Sequence, residues 1–276
     1  MFSAAQTTIT DREFAGFQRL IHQLSGIHLS DAKKQLVFGR LRNRVRQLGL
    51  KSFDAYFALV NSIGQTEERQ MVVDLLTTNE TYFFREPRHF EVLRQEILPA
   101  RSRTRPFRVW SAASSTGEEA YSIAMVLADV CTMARHPGWE VIGSDISKRV
   151  LERARTGLYP MQRIEGIPRP LLQQHCLKGT GAQEGTLLID EPLRERVHFR
   201  QVNLNERLPA ELGRFDVVFL RNMLIYFQPD TKNEIVRRVI ETVLPGGWLI
   251  VGHSESLKNT DVRLITHSPS IYRVAT

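Results

Sequence analysis

The chain is poor in everything that commits a protein to a special environment. It has two cysteines in 276 residues, Cys131 and Cys176. They are widely spaced in a chain that reads as intracellular, so both are expected as thiols, buried or incidental, and not as a disulfide. Its eight histidines are scattered, and no Cys/His cluster has the spacing of a metal site, so no metal is expected. The longest apolar stretches, Phe215 to Leu220 and Trp248 to Val251, fall far short of the roughly 20 residues that span a bilayer. Membrane insertion is thereby excluded as an expectation. The opening MFSAAQTTIT has neither a basic leader nor an apolar run, so no export signal is read and a cytoplasmic protein is expected. Internal repeats and low-complexity tracts are also missing.

What is present is ordinary globular composition, 42% hydrophobic and 24% charged. A length of 276 residues exceeds the usual single domain of roughly 100–150, which points to two unequal domains. The net charge of +7 favours an acidic partner: nucleic acid, anionic lipid or an acidic protein surface.

The first seventy-odd residues carry helical spacing. Phe14, Phe17, Ile21 and Leu24 mark one stripe; Leu36, Val37, Leu41, Val45 and Leu48 mark a second, with Ser30 or Asp31 as its cap and Gly49 as its end. Phe53 to Val60 and Glu67 to Leu76 complete a small helical domain. The second helix is basic beside its apolar stripe, because Arg40 and Arg44, like Arg42 and Arg46, lie four apart and stack. With few acids nearby in sequence, that repulsion points to an anion-binding face.

From Phe107 the pattern alternates. FRVWSAA, EVIGSDI, FDVVFLRN and GWLIVG read as strands, and the stretches around Ala120 to Cys131, Ser147 to Arg155 and Asp230 to Val243 as helices. This predicts an α/β, doubly wound, mainly parallel sheet with helices on both faces. LITHSPSIYRVAT should form an antiparallel edge hairpin around Pro269. The proline-rich and glycine-rich stretch from Leu158 to Arg196 breaks the alternation. It predicts a short helix, Leu171 to Cys176, and a small antiparallel β insertion, with VHFRQV returning to the main sheet.

Ligands of such sheets sit where the strands end. The turn SSTGEEA after the first strand has one glycine, not the three of a pyrophosphate loop, and Glu118 and Glu119 put negative charge where phosphates would lie. Asp145 ends the second strand, where a carboxylate commonly accepts from ribose hydroxyls, or caps the next helix. An acidic turn followed by an acid describes a site for a nucleoside bearing an amino group and no pyrophosphate. S-adenosyl-L-methionine has that shape and charge.

The strings TTNETYFFRE, RVWSAASSTGEEAYS, SDIS, VNL, FDVVFLRNMLIYF and GHSES, in that order over nearly the whole chain, resemble the CheR-type chemotaxis receptor (MCP) glutamate O-methyltransferases. The resemblance implies a class I methyltransferase with a small all-α N-terminal domain at 1–78, a linker at 79–90 lining the cofactor site, and a catalytic domain at 91–276 carrying a β subdomain at about 158–196. It assigns Asn79, Thr81 and Arg85 to the cofactor pocket, Glu119 (or its neighbour Glu118) to the methionyl amino group, and Asp145 to the ribose. Asn203 and Leu204 would border the adenine, Arg221 and Asn222 would lie under the cofactor, and Tyr226 would stand near the methyl group. Arg85 and Tyr226 would be the catalytic pair, and S-adenosyl-L-homocysteine the product. The implied partners are the acidic cytoplasmic helices of chemotaxis receptors, met by Arg40, Arg44 and Arg46. As in some members of the family, a receptor C-terminal peptide would dock at the β subdomain near Gly179 and Gly181. A basic residue is usual in the family where Asn43 stands here. Nucleic acid is not an expected partner: amino-methylating enzymes of that class carry a D/N-P-P-Y/F/W motif where this chain has RNMLIY. Nothing calls for more than a monomer.

Overall fold

A computed structural model describes residues 8–100, 104–133, 138–257, 260 and 262–275. Part of the opening MFSAAQTTIT, residues 1–7, lies outside these. Four helices come first: α1 (Asp11–Ser25), α2 (Lys34–Gln47), α3 (Phe53–Asn61) and α4 (Thr66–Leu76). Their apolar stripes meet in one core in which Phe17, Ile21, Leu41, Tyr56 and Val72 are fully buried. A capping box starts α1, since Thr10 accepts from Glu13 N–H and Glu13 accepts from Thr10 N–H. Gly26, left-handed at φ 76, ends it. Ser30 makes no capping bond; a 3-10 turn, Asp31–Lys33, leads into α2 instead. Gly49 follows α2 with φ 66, as its position predicts.

After α5 (Arg88–Val92) and a π turn, Leu93–Ile97, the chain builds a seven-stranded sheet. Its strands are β1 (Phe107–Ala112), β2 (Trp139–Asp145), β6 (Val197–Gln201), β7 (Phe215–Leu220), β8 (Val243–Val251), β9 (Leu264–Ser268) and β10 (Ile271–Val274), in the order β6-β2-β1-β7-β8-β10-β9. The first five run parallel; β10 pairs antiparallel with β8 and β9, which is the expected edge hairpin. Strand periodicity sends Val109 to the core under α6 (Glu118–Met133) and Trp110 to the opposite core under α10 (Pro229–Glu241). Trp110 is fully buried and donates its indole N–H to Ser144 Oγ at 2.9 Å.

Between α7 (Lys148–Thr156) and β6 lies a second sheet of β3 (Leu158–Pro160), β4 (Cys176–Lys178) and β5 (Thr186–Ile189), antiparallel in the order β3-β5-β4. Two short helices, α8 (Arg169–His175) and α9 (Glu191–Arg194), flank it. VHFRQV does rejoin the main sheet, as β6 beside β2. Cys131 is buried, Cys176 is half-buried, and no disulfide joins them. Among the described residues no helix is long and apolar enough to cross a membrane.

Candidate functional site

Strand order reverses between β2-β1 and β1-β7, and the carboxyl ends of these strands open into a cleft there. The cleft, about 420 Å³, is closed on its other side by the α1–α2 connection and by the segment after α4. That volume is ordinary for a small-molecule site, roughly 300–1,000 Å³. All ten residues expected in a cofactor pocket or at the reacting centre line it: Asn79, Thr81, Arg85, Glu119, Asp145, Asn203, Leu204, Arg221, Asn222 and Tyr226. Glu118 does not. It is fully buried, accepts from Thr116 Oγ1 at 2.6 Å and pairs with Arg163 at 3.1 Å, tying the β insertion to the start of α6.

Two carboxylates share one guanidinium at the floor. Glu119 accepts from Ser111 Oγ at 2.7 Å and from Arg221 Nη1 at 2.8 Å. Arg221 Nη2 reaches Glu86 at 3.0 Å and the carbonyl of Arg85 at 2.5 Å. The Arg221 side chain is 1% exposed, so its guanidinium is shielded from solvent while the carboxylates stay partly open to the cleft. Two acids against one base leave a net negative charge, which suits a cationic ligand and repels a phosphate.

Asp145 ends β2 with one oxygen accepting from Ser115 N–H at 3.0 Å and the other from Ser147 N–H at 2.9 Å. Burial pushes its carboxyl up to about 6, against the opposing pull of those N–H groups. Capping of α7 falls to Ser147, whose hydroxyl accepts from Val150 N–H. Asp145 therefore holds the loop together and still faces the cleft.

The loops around the cleft are strained. Phe84, Glu86, Ala113, Ser115 and Asn222 all take left-handed backbone angles, φ between 50 and 70. The lone glycine of SSTGEEA has a steric reason: at φ 96, a Cβ on Gly117 would lie 2.9 Å from both Ala154 Cβ and the Tyr159 hydroxyl. Beneath Asn222, the buried Glu255 accepts from the N–H groups of Asn222, Leu224 and Gly252 at 2.7, 2.7 and 2.8 Å. Sequence reasoning missed Glu86 and Glu255. Both stand inside strings quoted above, TTNETYFFRE and GHSES, but the partners that tie them to the cleft, Arg221 and Asn222 for Glu86 and Asn222 and Leu224 for Glu255, lie more than 30 residues away in the chain. It also missed His28, Lys33 and Leu36, which line the cleft from the helical side.

Several expected residues have a second duty. Asn203 spends its amide on the Leu24 carbonyl and Glu206 and accepts from Asn205 N–H, which fastens the β6 loop to the end of α1. The Asn79 carbonyl accepts from Ser115 Oγ at 3.0 Å. Arg85 donates to the Glu80 carbonyl at 3.1 Å and lies over the Tyr82 ring at 5.7 Å, unpaired with either neighbouring acid. Tyr226 is half-buried and accepts at its carbonyl from His28 N–H at 2.8 Å.

The basic face of α2 differs from expectation. Arg40 donates to the carbonyls of Leu76 and Thr77 at 2.7 and 3.0 Å and to Thr78 Oγ1 at 3.1 Å, so it pins the segment entering the cleft. Arg44 makes a two-pronged pair with the buried Glu68, at 2.8 and 2.5 Å, and Tyr56 donates to the same carboxylate at 2.7 Å. The acid that relieves the repulsion is near in space though remote in sequence. Arg42 and Arg46 are exposed, Arg46 donating only to Asn43 at 3.0 Å. In the loop of the β insertion, Gly179 makes room for its own turn, since a Cβ would lie 2.0 Å from the Gln183 carbonyl oxygen. Gly181 is left-handed at φ 58 with open space around it.

Comparison with known proteins agrees with this architecture. Residues 12–77 match the family described as CheR methyltransferase, all-alpha domain, and residues 79–271 that described as CheR methyltransferase, SAM binding domain. A chemotaxis protein methyltransferase of Escherichia coli (strain K12) is 40% identical over 268 residues, covering 97% of this chain and 92% of that protein. Chemotaxis protein methyltransferase 2 of Pseudomonas aeruginosa is 38% identical over 275 residues, covering 100% of this chain and 97% of that one. With both halves matched and a sheet order that puts two acids at one switch point, the chain belongs to the CheR family of S-adenosylmethionine-dependent methyltransferases.

Proposed function

We propose that the protein methylates glutamate side chains on the cytoplasmic helices of chemotaxis receptors, giving glutamyl methyl esters in sensory adaptation. The observation that carries the reading is the placement in one cleft of Glu119, in the first turn of α6 after β1, and Asp145, at the end of the adjacent β2, with Arg85 and Tyr226 on its wall. The donor set fits the cofactor. The net negative floor of Glu119, Arg221 and Glu86 would take the methionyl ammonium, and Asp145 the ribose hydroxyls. Leu204 and Asn203 would border the adenine, with Asn79, Thr81 and Asn222 closing the walls. The bound cofactor supplies an electrophilic methyl carbon on a sulfonium.

The chain's own part is alignment. A glutamate side chain, with a reference pKa of about 4.3, is already a carboxylate at neutral pH, so no strong general base is needed. The cofactor would supply the methyl group to one carboxylate oxygen and be left as S-adenosylhomocysteine, with the sulfonium's positive charge neutralised. Arg85, held loosely on one carbonyl and one ring, places the incoming carboxylate without clamping it. Tyr226 hydrogen-bonds beside the reacting centre and, with the helical unit across the cleft, keeps water out.

In this reading residues 1–78 form the helical domain, 79–90 the linker, and 91–276 the catalytic domain, with its insertion at about 158–196, acting as a monomer in the cytoplasm. Arg42 and Arg46 are the exposed cations that meet the receptor helix. The insertion offers β4 as an open edge, with Leu177 56% exposed, to a receptor C-terminal peptide that adds a strand. Incubation with methyl-labelled cofactor and receptor-bearing membranes should put base-labile label on the receptor. Base-stable label, or none, would contradict the reading.

A further inference from the structure

Glu86, His89 and His253 converge beside Arg221, behind the wall of the cleft. One carboxylate oxygen and one ring nitrogen from each histidine all lie within 4.8 Å of one another. Glu86 and His89 stand three apart where the chain enters α5, and His253 comes from the loop after β8.

His89 Nε2 lies 2.8 Å from Ser270 Oγ, whose hydroxyl also reaches the Pro269 carbonyl at 2.6 Å. With the hydroxyl on that carbonyl, Nε2–H donates to Ser270 and Nδ1 presents a lone pair, which is the tautomer a cation needs. That nitrogen is fully buried, has no hydrogen-bond partner among the described residues, and faces a Glu86 oxygen at 3.4 Å. Two lone pairs so placed repel, at a cost that a cation between them would remove. His253 Nε2 lies 3.9 Å from the same oxygen, and its side chain is 55% exposed, which supplies a way in from solvent.

We propose that Glu86, His89 and His253 form a site for a late first-row divalent cation of the Zn²⁺ type, bound through one Glu86 oxygen, His89 Nδ1 and His253 Nε2. Two imidazoles and a carboxylate suit such ions, whereas Ca²⁺ and Mg²⁺ prefer all-oxygen sets. Arg221 is the competitor, since its Nη2 shares the same Glu86 oxygen at 3.0 Å. Cation binding would displace it and leave it on Glu119 and the Arg85 carbonyl.

Titration calorimetry of the chelator-stripped full chain with zinc chloride at pH 7.5 tests this. The expected result is one equivalent bound. Binding should weaken at least tenfold in His253→Ala, which keeps the His253 N–H bond to Glu86, and should be unchanged in His267→Ala, whose ring pairs with Glu96 at the surface. No uptake by the unaltered chain would overturn the proposal. So would equal affinity in His253→Ala, or a comparable loss in His267→Ala.

Discussion

A carboxylate sunk at the end of a parallel strand keeps its proton to higher pH than one in water when burial outweighs the backbone N–H groups it accepts from. For Asp145 the folded value is about 6, against an unfolded reference near 3.9. The folded state binds that proton more tightly, so the group's contribution to stability is full below about 3.9 and is lost as pH rises through about 6. With Asp145 in the proposed ribose role, ligand binding runs the other way, because ribose hydroxyls would donate to the carboxylate form. Affinity for S-adenosylhomocysteine should therefore fall roughly tenfold between pH 7 and pH 5, one unit on either side of that value. Calorimetry at the two pH values checks it, with Asp145→Asn as the control that should show a much flatter profile. Parallel curves for the two proteins would remove Asp145 from the site. A second residue-scale consequence concerns Glu68, which holds Arg44 and the Tyr56 hydroxyl in the helical core. Its interactions with Arg44 and Tyr56 hold its carboxyl below the usual range, despite the upward pull of burial. Glu68→Ala leaves both donors without their acceptor and should cost about 2 kcal/mol in chemical denaturation. An unchanged midpoint would mean that water replaces the carboxylate fully.

At the scale of elements, periodicity located the helices and strands because each buries one face, and burial leaves a pattern within a dozen residues. The edge hairpin around Pro269 and the return of β6 to the main sheet were legible for the same reason. Starts were less so. The Thr10–Glu13 box and the 3-10 turn before α2 depend on side chain to backbone bonds that hydropathy does not register. The basic face of α2 shows the limit more sharply, since local spacing reveals the column of arginines but not Glu68 or the Thr77 carbonyl across the core. The consequence is functional. Arg40 braces the segment that carries Asn79 and Thr81 into the cleft, so Arg40→Ala should weaken cofactor binding about tenfold, in line with losing charged hydrogen bonds. Had Arg40 served a partner alone, cofactor affinity would stay unchanged, and equilibrium binding by the purified variant separates the two.

Across the whole molecule, the residues that line the candidate cleft were legible one by one where long strings match a known family. Its connectivity was not, because the pocket joins pieces from the α1 end, the segment after α4, and the ends of β1, β2, β6 and β7. Charge behaves similarly. The formal +7 says that an acidic partner is favoured, while the structure divides α2 into internal arginines and the exposed pair Arg42 and Arg46. Reversing that pair to Glu should slow receptor methylation several-fold at low salt, shrink the difference at high salt, and leave cofactor affinity intact. Equal rates at low salt would place the docking face elsewhere. The central claim is more basic than docking: a cleft with a net negative floor takes the amino acid end of a sulfur nucleoside through Glu119. Calorimetric titration with S-adenosylhomocysteine tests it most directly. One equivalent should bind, with affinity at least tenfold weaker in Glu119→Gln, as expected for loss of a charge-assisted hydrogen bond. No uptake by the unaltered chain, or the same affinity in the variant, would contradict the account.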